Sequence, residues 1–119
     1  MRTLILILAT LSAVACQKQA STEVSQATPT TLKPGMKLFL DVHDFGPGKV
    51  SAQDVAGAHQ KDLAVGPKHD VTYLSYWLDE KTGTVTCLSE APNAEAALAT
   101  HKEAHGLIPD SIAEVTQGN

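Results

Sequence analysis

Residues 36–116 alternate between strand-like and helix-like segments in the order βαββαβ, and that order restricts the fold more than any other feature. Residues 36–44, MKLFLDVHD, alternate and are rich in β-formers, which predicts a strand. Phe45-Gly46-Pro47-Gly48 is a loop. Ser51 begins a helix with Asp54 as a favourable charge in its first turn. Val55, His59, Asp62 and Leu63 recur at helical spacing, and Gly66-Pro67 ends the helix. Residues 71–79, VTYLSYWLD, and 84–91, TVTCLSEA, are strands joined by the short turn Glu80-Lys81-Thr82-Gly83. Asn93 caps an Ala-rich helix running to about His105, which Gly106 and Pro109 terminate. Residues 111–116, SIAEVT, form the last strand.

Right-handed crossovers turn this order into a ferredoxin-like α+β sandwich. It has a four-stranded antiparallel sheet, with the first and third strands central and both helices on one face. Roughly 80 residues support such a core with limited burial. In the first strand Leu38, Leu40 and Val42 share one face, and Phe39, Asp41 and His43 the other. In the second, alternation places Val71, Tyr73 and Trp77 together, opposite Leu74, Tyr76 and Leu78. Both faces of that strand are apolar, so the uncovered side of the sheet is expected to meet a second copy of the chain, giving a homodimer.

The segment before this domain has another character. Residues 1–15, MRTLILILATLSAVA, combine a positive start, a short apolar run and small residues. This is the layout of a secretory signal peptide, too short for the ~20 apolar residues that span a bilayer. Cys16 follows at once, as in a bacterial lipoprotein lipobox, although Ala13 stands where Leu is usual. Lipidation at Cys16 would anchor the protein to the cell envelope, at the outer membrane in a Gram-negative cell; simple cleavage at the same bond would release it. Residues 16–35 then comprise the lipidated Cys and a Ser/Thr/Gln/Ala/Pro-rich tether, and 36–119 the folded domain. With Cys16 acylated, Cys87 has no partner for a disulfide within the chain. A net charge of −4 and nine scattered Lys plus Arg argue against nucleic-acid binding.

The chemical signal lies in five histidines, all after residue 40. His101 and His105, four apart, share one face of the second helix, where they can bind one metal. His59 lies on the inward stripe of the first helix with Asp62 three residues on, and Glu90 supplies a strand carboxylate. Burying several imidazoles without partners is costly, and a shared metal would satisfy them. Imidazole with carboxylate suits Ni, Cu, Zn or Fe(II) better than Ca or Mg. Lys102 stands where a zinc protease would carry Glu. His69, beside Lys68 and Asp70, reads as a solvated residue, and Cys87 as either a buried strand residue or a soft ligand. The Phe39–Asp41–His43 alternation also allows His43 to belong to a separate dimer-face site. No Ser/His/Asp arrangement, phosphate-cradling Gly loop or dinucleotide fingerprint is present.

MKLFLDVHD, AHQKDLAV, YLSYWLDEKTGTVTCLSEAPNAEA and HKEAHGLIPDSIAEV together resemble a family of small bacterial nickel-binding proteins, over residues 36–116. The resemblance implies a ferredoxin-like fold, a dimer and bound nickel, with zinc or copper as alternatives. It also implies His43, His59, Glu90, His101 and His105 as candidate ligands, with Asp41 and Asp62 orienting imidazoles. The resulting expectation is an exported metal store, buffer or sensor. The competitors are a small dimeric enzyme of the oxygenase or isomerase type, supported by fold analogy alone, and a metal-free interaction module.

Overall fold

The computed structural model describes residues 30–118. The predicted leader, Cys16 and residues 17–29 of the tether lie outside them. The elements are β1 (Lys37–Asp44), α1 (Ala52–Val65), a short 3-10 turn (Gly66–His69), β2 (Thr72–Asp79), β3 (Thr84–Ala91), α2 (Ala94–Ala104) and β4 (Ser111–Val115). The sheet is antiparallel with order β2-β3-β1-β4, so β1 and β3 are central as the βαββαβ order predicts. No helix among the described residues is long and apolar enough to cross a membrane.

Local chemistry sets the boundaries. Ser51 and Asp54 form a reciprocal capping box at the start of α1, an arrangement worth about 1 kcal/mol. Asn93 Oδ1 accepts from Ala96 N at 2.9 Å and starts α2. In the β2–β3 turn, Gly83 has φ +74° and lies against the Gly46 carbonyl. A Cβ there would stand 1.9 Å from Gly46 O, so only glycine fits.

Register decides which side chains the helices cover. Phe39, Asp41 and His43 lie opposite Ser89, Cys87 and Val85. That layer packs under α1 and α2 with Val55, Tyr73 and Ala97. The opposite face carries Leu40, Val42, Leu88, Ala113 and Val115, with Trp77 56% exposed at its β2 edge. The polar side of β1 is therefore the covered one, and His43 sits beneath the helices instead of at a dimer face.

Simple alternation fails in β2. The register shifts between Tyr73 and Ser75, so Tyr73, Tyr76 and Leu78 all point toward the helices while Trp77 points away. One extra residue flips every side chain after it. Alternation had grouped Tyr73 with Trp77. On α1 the buried residues are Val55 and Asp62, and Leu63 is 40% exposed, contrary to its place on the predicted inward stripe.

Thr30 and Lys33, in the last part of the predicted tether, hydrogen-bond to the domain. Lys33 N donates to Glu90 Oε1 at 2.7 Å and Thr30 N to Gln117 Oε1 at 2.8 Å.

Candidate metal centre

His101 occupies the middle of the layer between helices and sheet, 1% exposed. The α2 stripe of Ala94, Ala97 and His101 is apolar up to this point, so the helix carries an imidazole into its own buried face. Two carboxylates meet it there. Its Nε2 lies 3.1 Å from Asp41 Oδ2 on β1, and its Nδ1 3.1 Å from Asp62 Oδ1 on α1. With an acceptor at each nitrogen, the ring is held as an imidazolium donating to both. Burial alone would lower its pKa, but the bonds to Asp41 and Asp62 and their charges raise it to about 9. Burial would likewise raise both carboxyls, yet the imidazole bonds and charges hold Asp41 and Asp62 below the ordinary range.

Two further histidines flank this centre. His105, the C-cap of α2, puts Nε2 3.1 Å from Asp62 Oδ1 and 3.2 Å from His101 Nδ1. Its Nδ1 accepts from Leu107 N at 3.1 Å, so the hydrogen of the neutral ring sits on Nε2 and is donated to Asp62. His43 stacks on Phe45 and meets His101 edge-on, ring centres 5.0 Å apart. His43 Nε2 is 3.4 Å from Asp41 Oδ1, near enough for attraction but outside hydrogen-bond geometry. Asp41 Oδ1 is thus a buried acceptor with no hydrogen-bond partner among the described residues.

The result is two triads that share His101: Asp62–His101–His105 and Asp41–His43–His101. In each, one donor atom per residue lies within 4.8 Å of the others. Imidazole plus carboxylate is the donor chemistry of a late first-row divalent metal, and the orphaned Asp41 oxygen adds a free acceptor. The residues fit such an ion.

Of the candidate ligands read from the sequence, His43, His101 and His105 come together. Asp41 and Asp62, expected only to orient imidazoles, touch His101 directly. His59 lines the same cavity but joins neither triad; its ring lies against Tyr76 at 4.9 Å. Glu90 is elsewhere: Cys87 and Ser89 face the helices, so alternation turns Glu90 to the opposite face, where it is buried beneath Lys33 N. His69 lies away from the site, 2.8 Å from Glu103.

A cavity of about 190 Å³ opens beside the triads. His43, Asp62, His101 and His105 reach it, whereas Asp41 does not. Cys87 also lines it, but burial, then the nearby Asp41 and Asp62 charges, push its thiol well above the ordinary value. Tyr73 completes the support: its hydroxyl donates to Ala97 O at 3.3 Å and its ring packs 5.1 Å from His101. Sequence reasoning placed neither tyrosine near the histidines, because the β2 bulge leaves no mark in the hydrophobic pattern.

A family model described as "Nickel responsive protein SCO4226-like" matches residues 39–115. The crystal structure of SCO4226 from Streptomyces coelicolor A3(2) is similar, with a TM-score of 0.64 and 39% identity over 69% of this chain and 99% of that one. No curated protein matches the chain.

Proposed function

The chain belongs to the nickel responsive SCO4226-like family, and from that membership we propose that it binds nickel at the buried His/Asp cluster as a store, buffer or sensor, without catalysis. The observation that carries this reading is the convergence of Asp62, His101 and His105 on one space that opens to a cavity. We favour this triad because an ion needs an entry path, and Asp41 of the other triad is closed off. In this assignment His101 ligates through Nδ1, and its Nε2–H keeps its bond to Asp41, which holds the ring in place. Imidazole and carboxylate would supply charge and moderately soft donors to the ion.

The same reading includes export and a lipid anchor at Cys16, supported by the leader sequence. It also includes a second copy of the chain against the open sheet face, supported by that face's apolar composition.

Metal content by mass spectrometry tests the reading. Residues 17–119 are equilibrated with nickel alone, then desalted. A fixed nickel ratio per chain is expected, lost in His105→Ala and Asp62→Ala and kept in Glu90→Ala. Full retention in both cluster variants would remove this triad. One observation favours a second reading: His101 already has an acceptor at each nitrogen, so the cluster is complete as a purely structural ion network. A wild-type chain that retains no metal would establish that alternative.

A further inference from the structure

His101 is common to both triads, but through different atoms. Its Nδ1 belongs to the α1 side, where it forms a triangle with Asp62 Oδ1 and His105 Nε2 whose sides are 3.1, 3.1 and 3.2 Å. Its Nε2 belongs to the β1 side, 3.1 Å from Asp41 Oδ2, with His43 Nε2 3.4 Å from Asp41 Oδ1. Ligand bonds of ~2.1 Å give donor separations of about 3.0 Å at right angles and about 3.4 Å at tetrahedral ones. Both sides of the ring thus already have the spacing of a coordination shell. The β1 side also carries an unmet need. Asp41 is fully buried, and its Oδ1 has no hydrogen-bond partner among the described residues. A buried carboxylate oxygen in that state favours a cation beside it.

We propose that the cluster is a two-ion centre bridged by His101. The imidazolate ring holds a first nickel ion on Nδ1 with Asp62 and His105, and a second on Nε2 with Asp41 and His43. The inference rests on the reading of the Asp62 triad as a nickel site and adds the second ion to it. Filling is ordered. The first ion enters from the cavity and takes Nδ1, while Nε2–H stays on Asp41. The second ion bonds to Nε2 as the N–H bond there breaks, and the proton leaves to solvent. Asp41 does not reach the cavity, but His43 lines it, and no hydrogen bond holds the His43 ring among the described residues. His43 is therefore the ligand through which an ion gains that side. The bridging ring is fixed in place by Tyr73, 5.1 Å away, and by His43 edge-on to it. Two dications against two carboxylates and one imidazolate leave an excess positive charge, so the second ion is held more weakly.

The test titrates residues 17–119 with copper(II), a paramagnetic stand-in for nickel, and follows the electron paramagnetic resonance signal. Nickel calorimetry is run alongside. Two ions on one imidazolate couple magnetically through the ring, which two separate ions do not. The copper signal should rise to one equivalent per chain, then fall as the second is added, with a half-field transition appearing. Calorimetry should show two nickel steps, the second weaker by about tenfold or more. His43→Ala should remove the second step and the coupling while keeping the first ion.

A copper signal that integrates to two isolated ions at two equivalents, a single nickel step in wild type, or an unchanged second step in a folded His43→Ala would each overturn the proposal. Should His43→Ala fail to fold, the coupling in wild type alone decides. A first step without a second overturns this inference and leaves the nickel reading standing. No step at all removes both.

Discussion

A single imidazole, His101, sets the electrostatics of the site. Its folded pKa is raised from the ordinary 6.5 to about 9. Its contribution to stability is therefore complete below 6.5 and is lost as pH rises through about 9. The shift corresponds to about 3 kcal/mol. Asp41 and Asp62 behave oppositely: lowered from 3.8, they stabilise above that value and lose their contribution as pH falls below it. Urea denaturation of the metal-free protein should show greatest stability between pH 3.8 and 6.5 and a decline toward pH 9. A flat profile from 6.5 to 9 would show that His101 is not charged. The same proton competes with metal, so nickel affinity should rise about tenfold per pH unit up to about pH 9, well past the ordinary imidazole range. The residues behind this behaviour were partly legible. The four-residue spacing of His101 and His105 places both rings on one face, and that pairing is real. The contacts from Asp41 and Asp62 depend on 60- and 39-residue separations closed only by the tertiary fold. Spacing therefore identified them as neighbours of histidines but not as partners of the same one.

At the scale of elements, the end of α2 couples the site to the surface. Gly106 N and His105 N both bond back to His101 O, and Gly106 takes φ +77°, so the chain leaves the helix through a left-handed turn. Asp110 N then donates to Val42 O and Asp110 Oδ2 accepts from Asp44 N, which ties the loop to β1. Between these anchors Leu107 and Ile108 are exposed, held by the bond from Leu107 N to His105 Nδ1. Metal ligation at His105 must break that bond. If Nδ1 ligates, its lone pair is used; if Nε2 ligates, the ring hydrogen moves to Nδ1 and opposes the Leu107 N–H. Nickel titration should thus move the Leu107 amide resonance and raise its hydrogen-exchange rate, in step with metal uptake. An amide that stays protected at full loading would take His105 out of the ligand set. The helix end itself was readable from Gly106 and Pro109. The β2 bulge was not, because Tyr, Leu and Trp are equally suited to both faces of that strand. That ambiguity concealed the tyrosines behind His59 and His101.

At the scale of the whole molecule, the sheet has one face committed to the helices and one left apolar. The βαββαβ order was enough to predict this, since both crossovers must lie on the same side. What the order leaves open is which side of β1 the helices take. The hydrophobic pattern favours covering Leu38, Leu40 and Val42, yet the helices cover Phe39, Asp41 and His43. Leu38 on the other face is buried as well, but Leu40, Val42 and Leu88 are only half-buried, and an aliphatic face left half-covered favours a partner on that side. Leu40, Val42, Leu88 and Trp77 are arranged there across neighbouring strands, with Ala113 and Val115 beside them on the edge strand. A second copy meeting the same face through a two-fold axis would pair these patches and shelter the indole, 56% exposed in the single chain. A stable interface of this kind buries ~1,200–2,000 Å² in total, within reach of a four-stranded face. Sedimentation equilibrium of residues 17–119 at micromolar concentration should give twice the chain mass. Trp77→Lys, which places a charge on that face at its β2 edge, should give one chain mass with the fold intact by circular dichroism. A wild type that sediments as one chain would leave the aliphatic face to some other partner. A Trp77→Lys variant that remains dimeric would move the interface off this sheet and onto the helices.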